Sequence, residues 1–305
     1  MYWKYYMLKL FINFLDEKYF NFLYERYSDK PITLFIDRPP ATQEEFSINP
    51  NNILIINEPG GLFNINYHQY AKLFHDKFSL ILTWNKEILD ICSNAVLFNA
   101  NTMPDFVDKE YINSFKTKTK TFEVSFLCGI KDIAQGHKLR QDVYKLEDKI
   151  NIPKKWFKVL EDFDHDKGVR PGYTEYSKDL SHIPEGEYPE HYGKRILFND
   201  SMFNIAIENN KHDNFYTEKI CQPFSTKTIP IYWGCPNISE FGYDERGIIR
   251  FNTANELKEI INNLTPELYN QMKPYVDYNY EISLQDTVKN TYINFFDALI
   301  KENNL

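Results

Sequence analysis

This sequence has little glycine and no glycine-rich phosphate loop. Glycine occurs 11 times in 305 residues, and neither G-x-G-x-x-G nor a Walker motif is present, which removes the most direct nucleotide signatures. Its four cysteines, Cys92, Cys128, Cys221 and Cys235, form no C-x-x-C. They read as reduced, packed thiols of a cytosolic protein rather than a zinc site or a disulfide frame. Positive charge is also short. Lys and Arg number 35 against 43 Asp and Glu, a formal net charge of −8. Non-specific nucleic-acid binding needs a basic face to displace counterions, so no nucleic-acid partner is expected. A local basic pocket for a phosphate is still compatible with that charge. Long apolar runs are missing too. Met1 to Leu15 is apolar and aromatic but is interrupted by Lys4 and Lys9, too short and broken for a transmembrane segment and without a signal-peptide cleavage site. It reads as a buried strand entering a helix, with membrane-surface association as the alternative.

Aromatics are abundant, with 24 Phe and 22 Tyr, and hydrophobic residues make up 43% of the chain against 26% charged. That balance belongs to a globular protein of about two domains. We attribute the Phe, Tyr, Asn, Lys and Ile bias to base composition rather than to function. Short apolar runs alternate with helical stretches. Strands are expected at Met7–Phe14, Ile32–Ile36, Asn52–Asn57, Ser79–Thr83 and Ala95–Phe98, and helices at Glu17–Tyr27, Tyr67–His75 and Lys86–Cys92;. The Lys-Thr-rich stretch from Ser114 to Thr121 breaks the pattern, and a second block follows. Its expected strands are Phe122–Cys128, Trp156–Leu160, Phe203–Glu208 and Thr228–Trp233. Its expected helices are Leu139–Ile150, Thr217–Ser225, Ala254–Asn263 and a final Leu284–Lys301. Alternation of this kind implies two tandem α/β, Rossmann-like domains with mostly parallel sheets and a cleft between them. The expected boundaries are 1–118 for an N-terminal Rossmann-like domain, 119–285 for a C-terminal Rossmann-like domain, and 286–305 for a C-terminal helix packing back on the body.

Ligands of open parallel sheets sit at the carboxyl ends of the strands, which directs attention to three places. The strand Phe203–Ile207 ends in Glu208 and Asn209, and a turn then leads through Phe215 and Tyr216 to Thr217, Glu218 and Lys219. Thr217 suits an N-cap, and a helix N-terminus offers free N–H groups to an anion. Lys219 in the first turn opposes the helix dipole unless an anion lies beside it; otherwise it is a solvated Lys beside Glu218. The second place is the Gly129–Lys138 loop leading to Arg140, whose guanidinium suits a diphosphate or belongs to the surface. His137 and Lys138 read as ordinary loop residues that could line the same pocket. The third is Glu58, which follows the Asn52–Asn57 strand and precedes Pro59; it is a candidate general base or a loop carboxylate capping a helix.

The run from Phe203 to Ile220, continued by Thr228-Ile229-Pro230-Ile231-Tyr232-Trp233-Gly234, resembles the signature of the family 10 glycosyltransferases, the α1,3-fucosyltransferases. The resemblance implies a GT-B fold and inverting transfer of a sugar, fucose from GDP-fucose first of all, to a glycan hydroxyl. It implies that Arg140 and Lys219 bind the donor diphosphate, that Glu218 contacts the ribose, and that Asn209 lies at the donor sugar. Glu208, Phe215 and Tyr216 join them as expected donor-side residues. The family usually has Tyr where Phe215 stands, so a hydroxyl contact there would have to come from Tyr216. The resemblance further implies that Glu58 is the base, although the Ser that the family places between that Glu and Pro is missing here. No cofactor is expected to be required and no metal site is expected. The spaced carboxylates Asp162, Asp164 and Asp166 read as a solvated acidic loop, because Lys167 and Tyr173 occupy positions an EF-hand gives to Gly and Glu; a loosely held divalent ion is the alternative. A GDP-hexose or UDP-sugar donor, a non-catalytic nucleotide-sugar-binding protein, and a hydrolase using Glu58 are the rival readings. With no membrane anchor in view, the expected setting is the cytoplasm, as for a bacterial or viral enzyme.

Overall fold

β-branched and aromatic runs closed by Asn, Gly or Pro supply the strands of two parallel sheets. The computed structural model describes residues 7–12, 20–59, 66–100, 117–158 and 197–303. The chain divides into two units. The first comprises Met1–Asn101, Asp213–Phe215 and Val288–Leu305, and the second Thr102–His212 and Tyr216–Thr287.

In the first unit β1 (Lys9–Ile12), β2 (Ile32–Ile36), β3 (Asn51–Ile56), β4 (Leu80–Thr83) and β5 (Ala95–Leu97) pair in parallel and in chain order. Every residue of β2 is buried, as expected of a strand covered on both faces;. Period-two alternation sorts the side chains. Leu34, Ile36, Ile53 and Ile55 face a core shared with Leu23 and Tyr27 of α1 (Asn21–Tyr27) and with Tyr292 and Phe296 of the last helix, Val288–Asn303. Phe35, Leu54 and Ile56 face the opposite core;. That core is completed by Tyr67 and Ala71 of α3 (Tyr67–Phe74) and by Ile88 of α4 (Lys86–Ile91), the short α2 spanning Gln43–Phe46.

In the second unit the elements are β6 (Thr121–Cys128), α5 (Gln135–Tyr144), β7 (Lys154–Lys158), β8 (Ser201–Ile207), α6 (Glu218–Ser225), β9 (Ile229–Trp233), β10 (Ile249–Arg250), α7 (Ala254–Asn262) and α8 (Pro266–Gln285). The parallel sheet runs in the order β10-β9-β8-β6-β7. Chain connections leave β6 toward β7 and leave β8 toward β9, so β6 and β8 are neighbours from which the chain departs in opposite directions. That is a topological switch point, where open α/β sheets leave a crevice at the strand ends. The first sheet, ordered as the chain runs, has none.

Within the described residues the expected strands of both blocks are present, shifted by at most two residues at either end. Two helices differ more. α5 begins at Gln135 instead of Leu139, because its N-cap is Ala134, which carries no capping oxygen;. The 20-residue α8 was not expected, since Pro274 and four tyrosines obscure its pattern. The single terminal helix expected from Leu284 is broken at Asp286, whose φ of −83° and ψ of 71° end α8. Among the described residues no helix is long and apolar enough to cross a membrane. All four cysteines are free and buried.

Candidate functional site

Glu208 and Asn209 leave β8 at the switch point, and α5 and α6 both start beside them. Gly136, in the first turn of α5, makes this approach possible. Its amide donates to the Asn209 carbonyl at 2.8 Å, and a Cβ built on it would lie 1.7 Å from the Glu208 carbonyl oxygen. Only glycine lets a helix start press on a strand end this closely. Gly234 is a second such place, where a Cβ would meet the Tyr232 hydroxyl at 2.3 Å and Cγ of Glu208 at 2.5 Å.

Arg140 projects from α5 into this corner and is 9% exposed. Its Nε donates to the Ile207 carbonyl at 3.1 Å and its Nη2 to Oδ1 of Asn209 at 2.7 Å. Burial lowers its proton affinity from the ordinary value, yet a guanidinium keeps its charge at neutral pH. The Asn209 oxygen, occupied by Arg140, leaves the amide nitrogen as the group that can donate to a ligand.

His137, read from sequence as an ordinary loop residue, is buried in the same corner. Its Nδ1 accepts from the amide of the N-cap residue Ala134 at 3.1 Å, as the N3 side chain of a capping box does;. Burial first, then the positive charges of Arg140, Lys131 and Lys219, lower its pKa to about 4. The imidazole is therefore neutral at neutral pH.

At the start of α6 Thr217 is the N-cap, as its sequence position suggested, and its Oγ1 accepts from the Lys219 amide at 3.3 Å. Lys219 Nζ donates to Thr217 Oγ1 at 3.1 Å and to Oε1 of Glu218 at 3.2 Å, and it lies 3.8 Å from Oε2 of Glu208. Part of the conflict between Lys219 and the helix dipole is thus relieved by the protein's own carboxylates. With Lys219 and Glu218 side chains 20% and 25% exposed, both can still meet a ligand.

Three of the expected donor-side residues are buried. Glu208 is fully buried and its carboxylate is spent inside the protein. It accepts from the Thr217 amide at 2.9 Å, the Thr217 hydroxyl at 2.7 Å and the Tyr232 hydroxyl at 3.3 Å. Burial raises its proton affinity, and the Lys219 charge opposes that rise. Glu208 fixes the start of α6 through Thr217. Phe215 is fully buried in the first unit, its ring 4.8 Å from that of Trp84. Tyr216 is buried in the second unit and donates its hydroxyl to Oδ2 of Asp286 at 3.0 Å, so it does not supply the missing hydroxyl. Adjacency in a motif cannot separate inward from outward side chains.

In the first unit Glu58 follows β3 and is half-buried. Its amide and that of Asn57 donate to Oδ1 of Asp37 at 3.0 and 2.8 Å. Trp84 Nε1 holds the Asn57 carbonyl at 2.8 Å. Asp37, at the end of β2, was missed in the sequence, where a lone Asp before Arg38-Pro39 reads as strand termination. The acidic stretch Asp162–Asp166 and the loop from Gly168 to Tyr192 lie outside the described residues. Among the described residues no three His, Cys, Asp or Glu side chains are grouped to hold a metal ion.

Two parallel sheets in tandem give the chain the fold of GT-B glycosyltransferase structures. The resemblance to family 10 read from the motif holds: residues 187–296 match the family model Glycosyltransferase family 10 (fucosyltransferase) C-term. Alpha-(1,3)-fucosyltransferase FucT of Helicobacter pylori is 29% identical over 88 residues, which are 29% of this chain and 18% of that protein. The matched segment is thus under a fifth of that relative's length. Among solved structures, an alpha1,3-fucosyltransferase with GDP-fucose superposes with a TM-score of 0.50 at 15% identity, covering 96% of this chain and 89% of that one. Anabaena Alr3699/HepE in complex with UDP-glucose gives a TM-score of 0.53 at 10% identity, covering 96% and 91%. Similarities at these identities speak for the fold alone.

Proposed function

We propose that this protein is an inverting fucosyltransferase that moves fucose from GDP-fucose to a hydroxyl of a glycan acceptor. The observation that carries the reading is that Arg140 and Lys219 are held at consecutive residues of one strand end, Arg140 by Asn209 at 2.7 Å and Lys219 at 3.8 Å from Glu208. The family 10 match over residues 187–296 supports the choice of sugar and nucleotide. A diphosphate leaving group develops charge as its bond to the anomeric carbon breaks. Fixed cations and the amides at the start of α6 stabilise that charge without reorganising. Asn209, its oxygen held by Arg140, presents its amide nitrogen to the donor. Glu58 of the first unit takes the acceptor proton. No step in this scheme calls on a metal or an organic cofactor. We place the reaction in the cytoplasm and assign the acceptor to glycan biosynthesis.

The test is thermal denaturation with GDP, UDP, CDP and their sugars. A ligand that binds only the folded state raises the midpoint by mass action, by about 2.7 kcal/mol in stability at a hundredfold excess over Kd. GDP and GDP-fucose are expected to stabilise the protein most. Stabilisation by UDP-glucose and not by GDP-fucose overturns the donor assignment. No shift with any nucleotide overturns the transferase reading.

A further inference from the structure

We propose that Asp286 is a positioning residue for the donor site: acting through Tyr216 and Cys221, its carboxylate holds the start of α6, and with it Lys219, in the geometry that receives the diphosphate. This rests on the reading of Lys219 as a diphosphate ligand and extends it to a residue outside the run from Phe203 to Gly234.

The network lies wholly within the second unit. Oδ2 of Asp286 accepts from the Tyr216 hydroxyl at 3.0 Å and from the Tyr243 hydroxyl at 2.8 Å. The Cys221 sulfur lies 3.7 Å from the same oxygen and 3.3 Å from the Tyr243 hydroxyl. Tyr243 gives its proton to Asp286, so the thiol is the donor in its contact with Tyr243. Tyr216, Cys221 and Tyr243 are buried. Burial raises the proton affinity of all three well above the ordinary value, so each keeps its hydrogen at neutral pH. The Tyr216 ring is packed as well, 4.9 Å from that of Phe241 and 6.0 Å from that of Tyr243.

Tyr216 directly precedes the N-cap Thr217, and Cys221 closes the first turn of α6. Between these two anchors lie Thr217, Glu218, Lys219 and Ile220. Glu208 takes the Thr217 amide and hydroxyl from the β8 side. The turn that presents Lys219 is thereby pinned by two carboxylates, one at the end of β8 and one at the end of α8. Ending α8 does not account for the charge of Asp286, which is the C-cap of that helix. A negative side chain there opposes the helix dipole, and an uncharged Asn avoids that cost. What a carboxylate adds is an acceptor strong enough to gather two hydroxyls and a thiol on one oxygen. Groups fixed in advance stabilise developing charge without reorganising, and this network supplies the fixed frame for Lys219.

Tyr216→Phe removes one hydroxyl and keeps the ring. Its GDP affinity, measured by calorimetry, is expected to weaken about tenfold, the lower end of what a hydrogen bond to a charged group contributes. Asp286→Asn should show the same loss, and adding it to Tyr216→Phe should cost little more. Tyr243→Phe takes a hydroxyl from the same oxygen but lies outside the segment from Tyr216 to Cys221. It should lower the melting temperature by a similar amount and weaken GDP binding less than about threefold. Lys219→Ala completes the deciding cycle: in that background Tyr216→Phe is expected to have no further effect on GDP affinity. Equal losses in both backgrounds, equal losses in Tyr216→Phe and Tyr243→Phe, or full additivity of Tyr216→Phe with Asp286→Asn overturn the proposal in favour of a purely structural role. Should Tyr216→Phe not fold, amide hydrogen exchange of the wild type decides. The amides of Thr217 to Cys221 are expected to be protected without GDP and to change little when it binds; free exchange without GDP and protection only with it overturns the proposal. A wild type that binds no GDP removes the donor site itself and the proposal with it. A wild type that binds GDP through Lys219, with Tyr216→Phe binding equally well, removes only the role of Asp286.

Discussion

Glu58→Gln is expected to lower transfer by about two to four orders of magnitude, the contribution of a positioned general base, while leaving nucleotide affinity nearly unchanged. The substitution preserves size and the backbone amide that donates to Asp37 at 3.0 Å, so the loop keeps its anchor. Only the capacity to take a proton is lost. The residues proposed to bind the donor, Arg140, Asn209, Glu218 and Lys219, belong to the second unit, and Glu58 belongs to the first. Initial rates of transfer with saturating donor, alongside the Kd for GDP by calorimetry, check both halves. Transfer within threefold of wild type means that another group takes the proton. A large loss of GDP affinity means that Glu58 acts in binding and not as the base.

Arg140→Ala should reduce kcat/KM by about a hundredfold to a thousandfold, the range found when one preorganised donor to a developing anion is removed. Two effects add. The leaving diphosphate loses a guanidinium held in low dielectric, and Asn209 loses the 2.7 Å hydrogen bond that sets its amide. The carbonyl of Ile207 loses its 3.1 Å donor as well, so a lower melting temperature is expected beside the kinetic loss. The two can be separated. Arg140→Lys keeps a charge but lacks the planar fork that reaches Ile207 and Asn209 together. It should recover part of the GDP affinity and little of kcat. Equal, near-wild-type rates for both variants would falsify the role given to this side chain.

Much of the fold was legible because the strands are strongly marked. Ile32–Ile36 and Ile53–Ile56 are unbroken runs of β-branched, aliphatic and aromatic residues, as strands covered on both faces require;. α8 was hidden because its stabilisation comes from tertiary packing of Tyr269, Met272, Val276 and Tyr280 rather than from its own sequence preferences;. The start of α5 was hidden for a related reason. Ala134 gives no capping signal, and its amide is satisfied by His137 three residues on.

The site divides in the same way. Arg140, Asn209, Glu218 and Lys219 stand out because charged or amide residues at strand ends and helix starts have few other uses. Glu208, Phe215 and Tyr216 belong to the same motif, but their partners, Thr217, Trp84 and Asp286, are supplied by the folded chain. Asp37 carries no signal in the sequence because the amides it accepts belong to the next strand end, and nothing in the sequence marks the contact of His137 with the Ala134 amide. No spacing rule marks a carboxylate that accepts two amides from the next strand end, or an imidazole that caps a helix lacking Ser, Thr, Asp or Asn.

The central claim is that one anion is held at the end of β8 by a buried guanidinium and a helix-start lysine. A crystal structure of the protein soaked with GDP tests it most directly. The account predicts diphosphate oxygens within about 3.2 Å of Arg140 and Lys219 nitrogens, beside the first amides of α6. GDP bound with its phosphates away from both side chains contradicts it.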